Sequence, residues 1–479
     1  MAYPDLRAYL SALEERGLLS RVSRPVDKDW EISAVCRVNF RDIPSRERTA
    51  LFFEQVKGYG IPVVAGILGG SDAIYATALE TSPDKVLDKW AEGVKVPKAP
   101  VMVSQAPCQE VVWEGEEADL ERLPHPTWTV GQDPGPYVTA GAVISKDPEN
   151  GIGNVGTYRL QIKGPRKAGL MASARQGIAQ HIRKNEAAGR PTEIAVVIGA
   201  DPVIGLVSVT GFPQNHDELA IAGGIRGEPV AVTRGRTVDL LIPATAEIVI
   251  EGRILPGVRE PEGPFGEYLG YMGEAGNHYV VEVTAITHRK DPIYQAFVSQ
   301  MPPSESSLIR RVGRSLTLLR HLRDTLGLPV TNVLFPEPQG AGPVLFIAMK
   351  KGYEGHPVQA MHGAWALMPS TGKVTVVVDE DIDVWDPDAV LWAIATRVHP
   401  DRDLYIQGGT VPLGLDPAQP REGVGYPPRQ TGFKIGIDAT KKGTYPAPSV
   451  PPDEHLAKVR SAWELYGVQR AQDGRGKQG

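Results

Sequence analysis

The sequence predicts a multidomain α+β protein in which a β-rich, barrel-like middle domain lies between two α/β domains. At 479 residues the chain is longer than a single hydrophobic core usually serves, so two or three domains are expected. The middle of the chain carries β-branched, partly alternating segments such as YVTAGAVISK and EIAVVIGA, which are typical of strands. In the last third helical and strand patterns alternate, as they do in an α/β domain.

The first predicted domain covers residues 1–105. Leu6, Leu10, Leu13 and Leu18 follow a helical period, and IPVVAGILGG is a short apolar run that suits a buried element. The segment KVPKAPVMVSQAPCQ combines several prolines with no helical period, so it is predicted to be a linker or an extended crossover.

Residues 110–318 form the predicted middle domain, which helices over residues 171–188 and 217–224 interrupt. A long helix is predicted over SSLIRRVGRSLTLLRHLRDTLG, at the start of the α/β domain assigned to residues 319–452. Residues 453–479 are predicted to be an amphipathic helix and a tail. One side of that helix, which is expected to dock on a neighbouring subunit, carries Leu456, Val459, Trp463 and Val468.

Composition excludes several classes of function. The formal net charge of −6 and the pI near 6.0 provide no diffuse basic surface, so nucleic acid is a poor partner and a small molecule a better one. Cys36 and Cys108 are the only cysteines, which argues against a disulfide framework or a thiolate metal cluster and favours a reducing cytoplasm. No apolar run of about 18 residues appears, so we expect neither a signal peptide nor a membrane span.

The stretch REPEGPFGEYLGY holds two carboxylates, Glu262 and Glu267, around a Gly-Pro-Phe-Gly core. Its glycines and prolines exclude a helix and interrupt a strand ladder, so the backbone must turn tightly. Two carboxylates held close together repel each other, which raises the pKa of one of them and leaves a protonated acid near neutral pH. The simpler interpretation is a pair of solvated turn residues, because most glutamates are exposed.

A second candidate site is GNVGTYRLQI, which contains Asn154 and Arg159. Asn154 can offer a carbonyl oxygen to a cation, and Arg159 can bind a carboxylate or a phosphate through two parallel hydrogen bonds. Taken alone, Asn-Val-Gly is more simply explained as a turn.

His181, in RQGIAQHIRKNEAAG, and Glu218, in NHDELAIAGGIRGEPV, are the remaining candidates. An isolated histidine is most often a surface or satisfied core residue, and a glutamate at a helix start can simply favour the helix dipole. Together with Asn154 they offer an amide oxygen, an imidazole and a carboxylate. This donor set suits Mn²⁺ or Mg²⁺ better than structural Zn²⁺.

With these residues the chain resembles the UbiD family of reversible decarboxylases, which use prenylated FMN. The resemblance extends over nearly the full length and includes the intact element EPEGPFGEYLGY. The other segments that carry it are, in order, DLERLPHPTW, GNVGTYR, QHIRK, IGADP, DELAIAGGIRGEPV, IPATAEIVIEG, KKGYEGHP, VVVDEDIDVWD, AIATRVHPDRD and FKIGIDATKK. It implies an N-terminal α/β segment, a central split β-barrel related to flavin reductases, and a C-terminal α/β domain whose last helix serves assembly of a homodimer or homohexamer.

The resemblance also implies a role for each candidate. Arg159, Glu262 and Glu267 would form the catalytic network, with Glu267 as the proton donor. A Mn²⁺ ion that holds the cofactor phosphate would be bound by Asn154, His181 and Glu218. The prenylated FMN, supplied by a flavin prenyltransferase, would be lined by Asn154, Val155, Gly156, Thr157, Tyr158, Arg159 and Gln180, with Lys350 or, less favoured, Lys351 at its phosphate. A K⁺ ion would lie against Glu218 and backbone oxygens near Val155, Ser208 and Thr210.

Two other functions stay open at this point. A conventional FMN-dependent oxidoreductase could use the same barrel, but it leaves Glu262 and Glu267 unexplained, and no Gly-rich dinucleotide fingerprint follows a strand. A non-catalytic flavin- or metal-binding subunit of a decarboxylase complex is the other, and the intact set of Arg159, Glu262 and Glu267 argues against it.

Substrate identity is open among aromatic, heteroaromatic and α,β-unsaturated acids, and so is the direction of the reaction with CO₂. The segment SQMPPSESSLIRRVGR is predicted to border the pocket, where Arg310 or Arg311 could meet a second polar group of the substrate. The simpler interpretation places both arginines on an exposed helix face, because arginine is seldom buried.

Overall fold

The structure is a computed structural model that describes residues 3–174, 176–212, 216–418 and 431–467. Val468 and residues 469–479 of the predicted terminal helix and tail lie outside these ranges. The strands of the described part form three larger sheets and two small ones. None of its helices is both long enough and apolar enough to cross a bilayer.

The N-terminal sheet combines strands from distant parts of the chain. Its strands are β1 (Leu19–Val22), β2 (Ala50–Phe53), β3 (Val63–Ala65) and β18 (Tyr294–Ala296), in that order across the sheet. The helices around it are α1 (Leu6–Glu15), α2 (Glu31–Asp42), α3 (Asp72–Ala78) and α4 (Val86–Lys95). Leu6, Leu10 and Leu13 of α1 are buried, as their period predicts, and Asp5 caps this helix by accepting the N–H of Ala8 at 2.9 Å.

The central sheet has nine strands. They are β5 (Val111–Glu114), β6 (Tyr137–Val138), β7 (Ala142–Lys146), β8 (Gly153–Thr157), β9 (Leu160–Ile162), β10 (Lys167–Leu170), β11 (Thr192–Ile198), β14 (Ile248–Glu262) and β17 (Gly276–His288). Their order is β6-β9-β10-β17-β14-β11-β7-β8, with β5 also paired to β17. The register of β14 against β17 shifts twice, and such irregularities bend strands. The sheet curls into a half-barrel, with β6 and β8 at its edges.

Short strands and three helices complete the middle of the chain. The strands are β4 (Val101–Met102), β12 (Ala231–Arg234), β13 (Leu241–Pro243), β15 (Phe265–Gly266) and β16 (Met272–Gly273). The helices are α5 (Gly177–Ala187), α6 (Pro202–Ser208) and α7 (Glu218–Arg226). The helix predicted over residues 171–188 begins only at Gly177, because Leu170 still belongs to β10 and a connection must precede the helix. Asp217 caps α7 by accepting the N–H groups of Leu219 and Ala220.

The last third of the chain is an α/β arrangement. α8 (Glu305–Arg320) leads to a five-stranded sheet with the order β19-β20-β21-β23-β22. Its strands are β19 (Val330–Leu334), β20 (Val344–Met349), β21 (Val374–Asp379), β22 (Leu404–Thr410) and β23 (Gly432–Ala439). The helices α9 (His356–Leu367) and α10 (Pro387–Arg397) lie between strands of this sheet in the chain, and α11 (Asp453–Ser461) comes after β23. Every residue of α11 is at least partly exposed, including Leu456 and Val459.

Glu305, the first residue of α8, ties this helix to two other segments. Its fully buried carboxylate accepts the N–H groups of Gly66 at 2.8 Å, Leu68 at 3.0 Å, Gly69 at 3.3 Å and Val298 at 3.2 Å. Burial raises the pKa of Glu305, and these N–H groups work against that rise. The contact fixes α8 against the loop after β3 and the segment after β18.

We expect Glu305→Ala to lower the free energy of unfolding by at least about 3 kcal/mol, because several buried N–H groups lose their acceptor. Glu14→Ala is the control, since the pair of Glu14 with Arg21 is exposed and exposed pairs contribute about 0–1 kcal/mol. Urea unfolding followed by tryptophan fluorescence measures both variants. Equal losses in the two variants would contradict the role given to Glu305.

Candidate functional site

A cavity of about 630 Å³ lies at the open edge of the central sheet. Its walls come from β8, the starts of α5 and α7, the end of α6, the turn after β15, and α8. Among the described strands β8 pairs with β7 alone, so β8 forms an edge of the sheet that faces the cavity. A cavity of this size suits a small organic molecule or cofactor.

Arg159 lies between two glutamates at the wall of this cavity. Its Nε and Nη2 donate to the two carboxylate oxygens of Glu262 at 2.9 and 2.8 Å, and its Nη1 donates to Glu267 Oε1 at 2.5 Å. Glu262 is fully buried, whereas Glu267 is partly exposed and lines the cavity. The bidentate contact with Arg159 compensates the buried charge of Glu262.

The turn between the two glutamates follows from their sequence. Glu262 ends β14, and Glu267 comes directly after the two-residue strand β15. Gly263 has φ +82°, and a Cβ on it would lie 3.3 Å from Arg159 Nη2. A glycine is therefore suited both to the left-handed backbone and to the close approach of the guanidinium.

The surroundings shift the pKa values of Glu267 and Arg159. Burial raises the pKa of Glu267, although Arg159 and Arg310 oppose the rise. Repulsion from Glu262 contributes least, so desolvation rather than the neighbouring carboxylate, which the sequence argument invoked, is the main cause. Burial would lower the pKa of Arg159, but its hydrogen bond to Glu262 and the charges of both glutamates raise it overall.

Ser145 connects Asn154 to His181, since it pairs with one and contacts the other. Asn154 on β8 pairs with Ser145 on β7, so both side chains lie on the same face of the hairpin. Ser145 Oγ lies 2.9 Å from His181 Nδ1 on α5. Gly177, one turn before His181, lies against Asn154 Oδ1, and a Cβ at Gly177 would collide with that oxygen.

Glu218 reaches the same hairpin from α7. Its Oε2 accepts the N–H of Val155 at 3.0 Å. Burial raises the pKa of Glu218 to about 7, against the lowering effect of that N–H. Asn154 Nδ2 is buried and has no hydrogen-bond partner among the described residues. The buried carboxylate of Glu218, at the start of α7, therefore lies close to the buried amide of Asn154, because it contacts Val155, the next residue of β8.

These donors fit a hard or borderline cation that prefers oxygen and imidazole ligands. Within the described ranges no group of three or more His, Cys, Asp or Glu side chains is arranged to hold a metal. The predicted ligand set has only two side chains of these types, His181 and Glu218. Its third member is the amide of Asn154, which does not belong to these types.

Most of the other predicted residues line the cavity as well. Those on its wall are Asn154, Val155, Gly156, Thr157, Tyr158, Arg159, Ser208, Thr210, Glu218 and Glu267. Among the described residues, His181, Gln180 and Lys350 are not part of that wall. Lys350 is exposed directly after β20, and Lys351 pairs with Glu354 at 2.8 Å. A place on the wall of a cavity does not test a catalytic or binding role, so the roles of all these residues stay predictions.

The two arginines of the LIRRVGR segment differ from the simpler expectation of an exposed face. Arg310 lines the cavity, whereas the guanidinium of Arg311 contacts Asp72 outside it. Neither arginine is fully exposed, because α8 packs between the N-terminal segment and the cavity.

Tyr268 and Arg314 also line the cavity and were missed by the sequence argument. Arg314 follows Arg310 by four residues on α8, so a helical projection would have put both on one face. Tyr268 follows Glu267 directly and could have been included with it.

Family models of known proteins match most of the chain. The chain matches three domain models of 3-octaprenyl-4-hydroxybenzoate carboxy-lyase, or UbiD. They are the N-terminal domain over residues 10–94, the Rift-related domain over 100–302 and the C-terminal domain over 307–439.

Solved structures of similar proteins cover almost the whole chain. The UbiD-class enzyme HmfF from Pelotomaculum thermopropionicum, in complex with FMN, is 37% identical with a TM-score of 0.84 over 95% of this chain and 99% of that chain. An evolved dimeric form of the same enzyme, in complex with prFMN, is 36% identical, with a TM-score of 0.83 over 97% of this chain and 100% of that chain.

Vanillic acid decarboxylase from Sedimentibacter hydroxybenzoicus, in its closed form, is 30% identical, with a TM-score of 0.85 over 98% of this chain and 100% of that chain. Sequence identity of this size over nearly complete chains, together with the three matched domain models, shows common descent. The chain belongs to the UbiD family.

Proposed function

We propose that the protein catalyses the reversible, non-oxidative decarboxylation of an aromatic, heteroaromatic or α,β-unsaturated carboxylic acid with prenylated FMN. The observation that carries the proposal is the guanidinium of Arg159 held between Glu262 and Glu267 at the wall of a cofactor-sized cavity. The FMN and prFMN complexes of HmfF support the choice of cofactor.

The reaction breaks the bond between a carbon and its carboxylate, releases CO₂, and places a proton on that carbon. When bound, the prenylated flavin supplies the electron sink that makes loss of CO₂ feasible. Arg159 orients the substrate carboxylate, and Glu262 holds Arg159 in place through two hydrogen bonds. Glu267 delivers the proton, and its raised pKa keeps it protonated to a higher pH than an exposed glutamate.

The remaining predicted residues would bind the cofactor and its ions. Asn154, His181 and Glu218 would hold Mn²⁺, and the metal together with Lys350 would neutralise the cofactor phosphate. K⁺ would lie between Glu218 and backbone oxygens near Val155, Ser208 and Thr210. Support comes from the shared position of Asn154, Glu218 and these three residues on the wall beside β8.

The finer features of the fold and assembly belong to the same proposal. The half-barrel would be a split barrel related to flavin reductases, within domains spanning 1–105, 110–318, 319–452 and 453–479. A homodimer or homohexamer would form through the C-terminal part. An exposed apolar face of β22 and β23 supports this. Ile406 pairs with Ile435 across the two strands, and Leu404 and Phe433 lie beside them. Ile406 and Phe433 are 75% and 63% exposed.

The experiment that tests the proposed function uses protein co-expressed with a flavin prenyltransferase. We expect CO₂ release from members of a panel of aromatic and unsaturated acids without added reductant. A conventional FMN oxidoreductase would instead need a reductant, and a non-catalytic subunit would release no CO₂ from any acid. Either result would overturn the proposal.

We expect Glu267→Gln to lower kcat by at least about 100-fold, because the amide cannot donate the proton in an acid–base step. Flavin and metal content should stay at wild-type level, since Arg159 keeps its bidentate contact with Glu262. Glu260→Gln is the matched control, as Glu260 lies on β14 but pairs with Lys163 and Lys167. Normal turnover by the Glu267 variant would exclude Glu267 as the proton donor.

We expect Gly177→Ala to weaken Mn²⁺ binding by about tenfold or more, because the new Cβ would displace Asn154 Oδ1. Gly153→Ala is the control, since a Cβ at Gly153, on the same hairpin, meets nothing within 4 Å. Titration of metal-free protein with Mn²⁺, followed by electron paramagnetic resonance, measures both affinities. Equal affinities would argue that Asn154 is not a ligand.

We also propose that Arg310 binds a second anionic or polar group of the substrate. Arg310 lines the cavity, and no salt bridge joins it to a carboxylate within the described part of the chain. The charge of Arg310 lowers the pKa of Glu267, but the carboxylate of Glu267 makes its ion pair with Arg159.

Arg310→Met should therefore lower kcat/KM for acids with a second carboxylate by about tenfold or more relative to matched monoacids, since it removes a charge-assisted contact. Arg320→Met, on the same helix but near Asp324, should leave the ratio between the two acids unchanged. An equal decrease for mono- and diacids in the Arg310 variant would remove the selectivity role.

A further inference from the structure

Glu267 begins a closed backbone turn. Its N–H donates to the carbonyl oxygen of Tyr271 at 3.0 Å, and its own carbonyl accepts the N–H of Gly270 at 2.8 Å. The carboxylate is held at one oxygen by Arg159. The rest of its orientation depends on whatever holds the turn in place.

Tyr268, the next residue, makes the main contacts between this turn and the surrounding structure. It is buried, and its ring centroid lies 4.0 Å from the guanidinium carbon of Arg310 and 5.9 Å from that of Arg314. Both arginines come from one face of α8. Cations near an aromatic ring in a desolvated setting attract it, so α8 holds Tyr268 from one side.

Arg314 connects this contact to the loop between β19 and β20. Its Nη1 donates to the carbonyl oxygen of Ala341 at 2.8 Å. Ala341 has φ +49°, a left-handed backbone that is uncommon for residues other than glycine. Its N–H donates to the Pro336 carbonyl at 3.2 Å, so the loop keeps this shape through its own contacts.

Gly340 brings the same loop against the turn directly. It has φ +77°, and a Cβ there would lie 2.8 Å from Leu269 Cδ2 and 2.9 Å from the Tyr268 carbonyl oxygen. No residue with a side chain fits between the loop and the turn without moving one of them. The turn is therefore supported from behind by the backbone of the C-terminal part of the chain.

We propose that Tyr268, held by Arg314 and by the backbone at Gly340, is a positioning residue that fixes the direction in which Glu267 delivers its proton. This inference rests on the function proposed above, because it concerns the proton transfer assigned to Glu267. Arg159 constrains the carboxylate of Glu267, and Tyr268 together with the loop at Gly340 constrains its backbone. Proton transfer depends steeply on such placement.

The test compares two glycine variants of the flavin-loaded, full-length protein. Gly340→Ala would push the turn, whereas Gly327→Ala introduces similar backbone strain at φ +67° with nothing within 4 Å of the new Cβ. We expect Gly340→Ala to lower kcat by about 10- to 100-fold while KM changes by less than about twofold. Flavin and metal content should match the wild type in both variants, and kcat should stay unchanged in Gly327→Ala.

A second readout isolates the proton step. In D₂O the enzyme should exchange the hydrogen of the reaction product at the carbon that had carried the carboxylate, because this is the reverse of protonation by Glu267. Exchange should slow in parallel with kcat in Gly340→Ala. Tyr268→Leu, which removes the ring, should behave in the same way, and Tyr268→Phe, which keeps the ring beside the guanidinium groups of α8, should retain most of the rate.

The outcomes separate this inference from the function on which it rests. An active wild type with equal kcat and equal exchange in the two glycine variants would overturn the positioning role alone. Loss of flavin from the Gly340 variant, with a normal kcat per flavin-loaded protein, would also overturn it. A wild-type holoprotein that releases no CO₂ from any acid would overturn the proposed function and the positioning role together.

Discussion

The buried carboxylate of Glu305 holds the walls of the cavity to one another. It has no cationic partner in the described part of the chain, and N–H groups from the loop after β3 and the segment after β18 take the place of water. Its place at the start of α8 adds the favourable end of the helix dipole. Because Ser306, Arg310 and Arg314 extend from the same helix into the cavity, the position of the charged wall depends on this contact.

Three other acids at or beside the cavity show how the environment gives one residue type different chemistry. Glu262 has a bidentate arginine, so its negative charge is compensated where it lies. Glu267 shares that arginine through one oxygen and is otherwise desolvated, which favours the protonated form. Glu218 meets one backbone N–H, and its pKa near 7 makes it ready to accept either a proton or a cation. The three acids thus differ in the charge state that their surroundings favour, and this difference comes from their partners alone.

The parts of the site that the sequence could predict are those that local rules govern. Gly-Pro punctuation predicts the turn between Glu262 and Glu267, and Asp217 before an apolar run predicts the start of α7. The N-terminal sheet could not be predicted as it is, since Tyr294–Ala296 joins it from 231 residues further along the chain than its partner β3, in pairing that no local pattern encodes. Gly340 was missed for the same reason, because its importance arises from contacts with Tyr268 and Leu269 that only the tertiary structure creates.

The Arg159 network also depends on completed long-range pairing. Arg159 lies between β8 and β9, Glu262 ends β14, and the path between them across the sheet runs through β10 and β17. Gly169 on β10 marks how closely these strands must pack, because a Cβ there would lie 3.1 Å from Glu262 Cγ. Non-local pairings of this kind form only after their loop-closure entropy has been overcome. The guanidinium therefore reaches its two carboxylates only when the half-barrel is assembled, which makes the candidate site and the central sheet one cooperative unit.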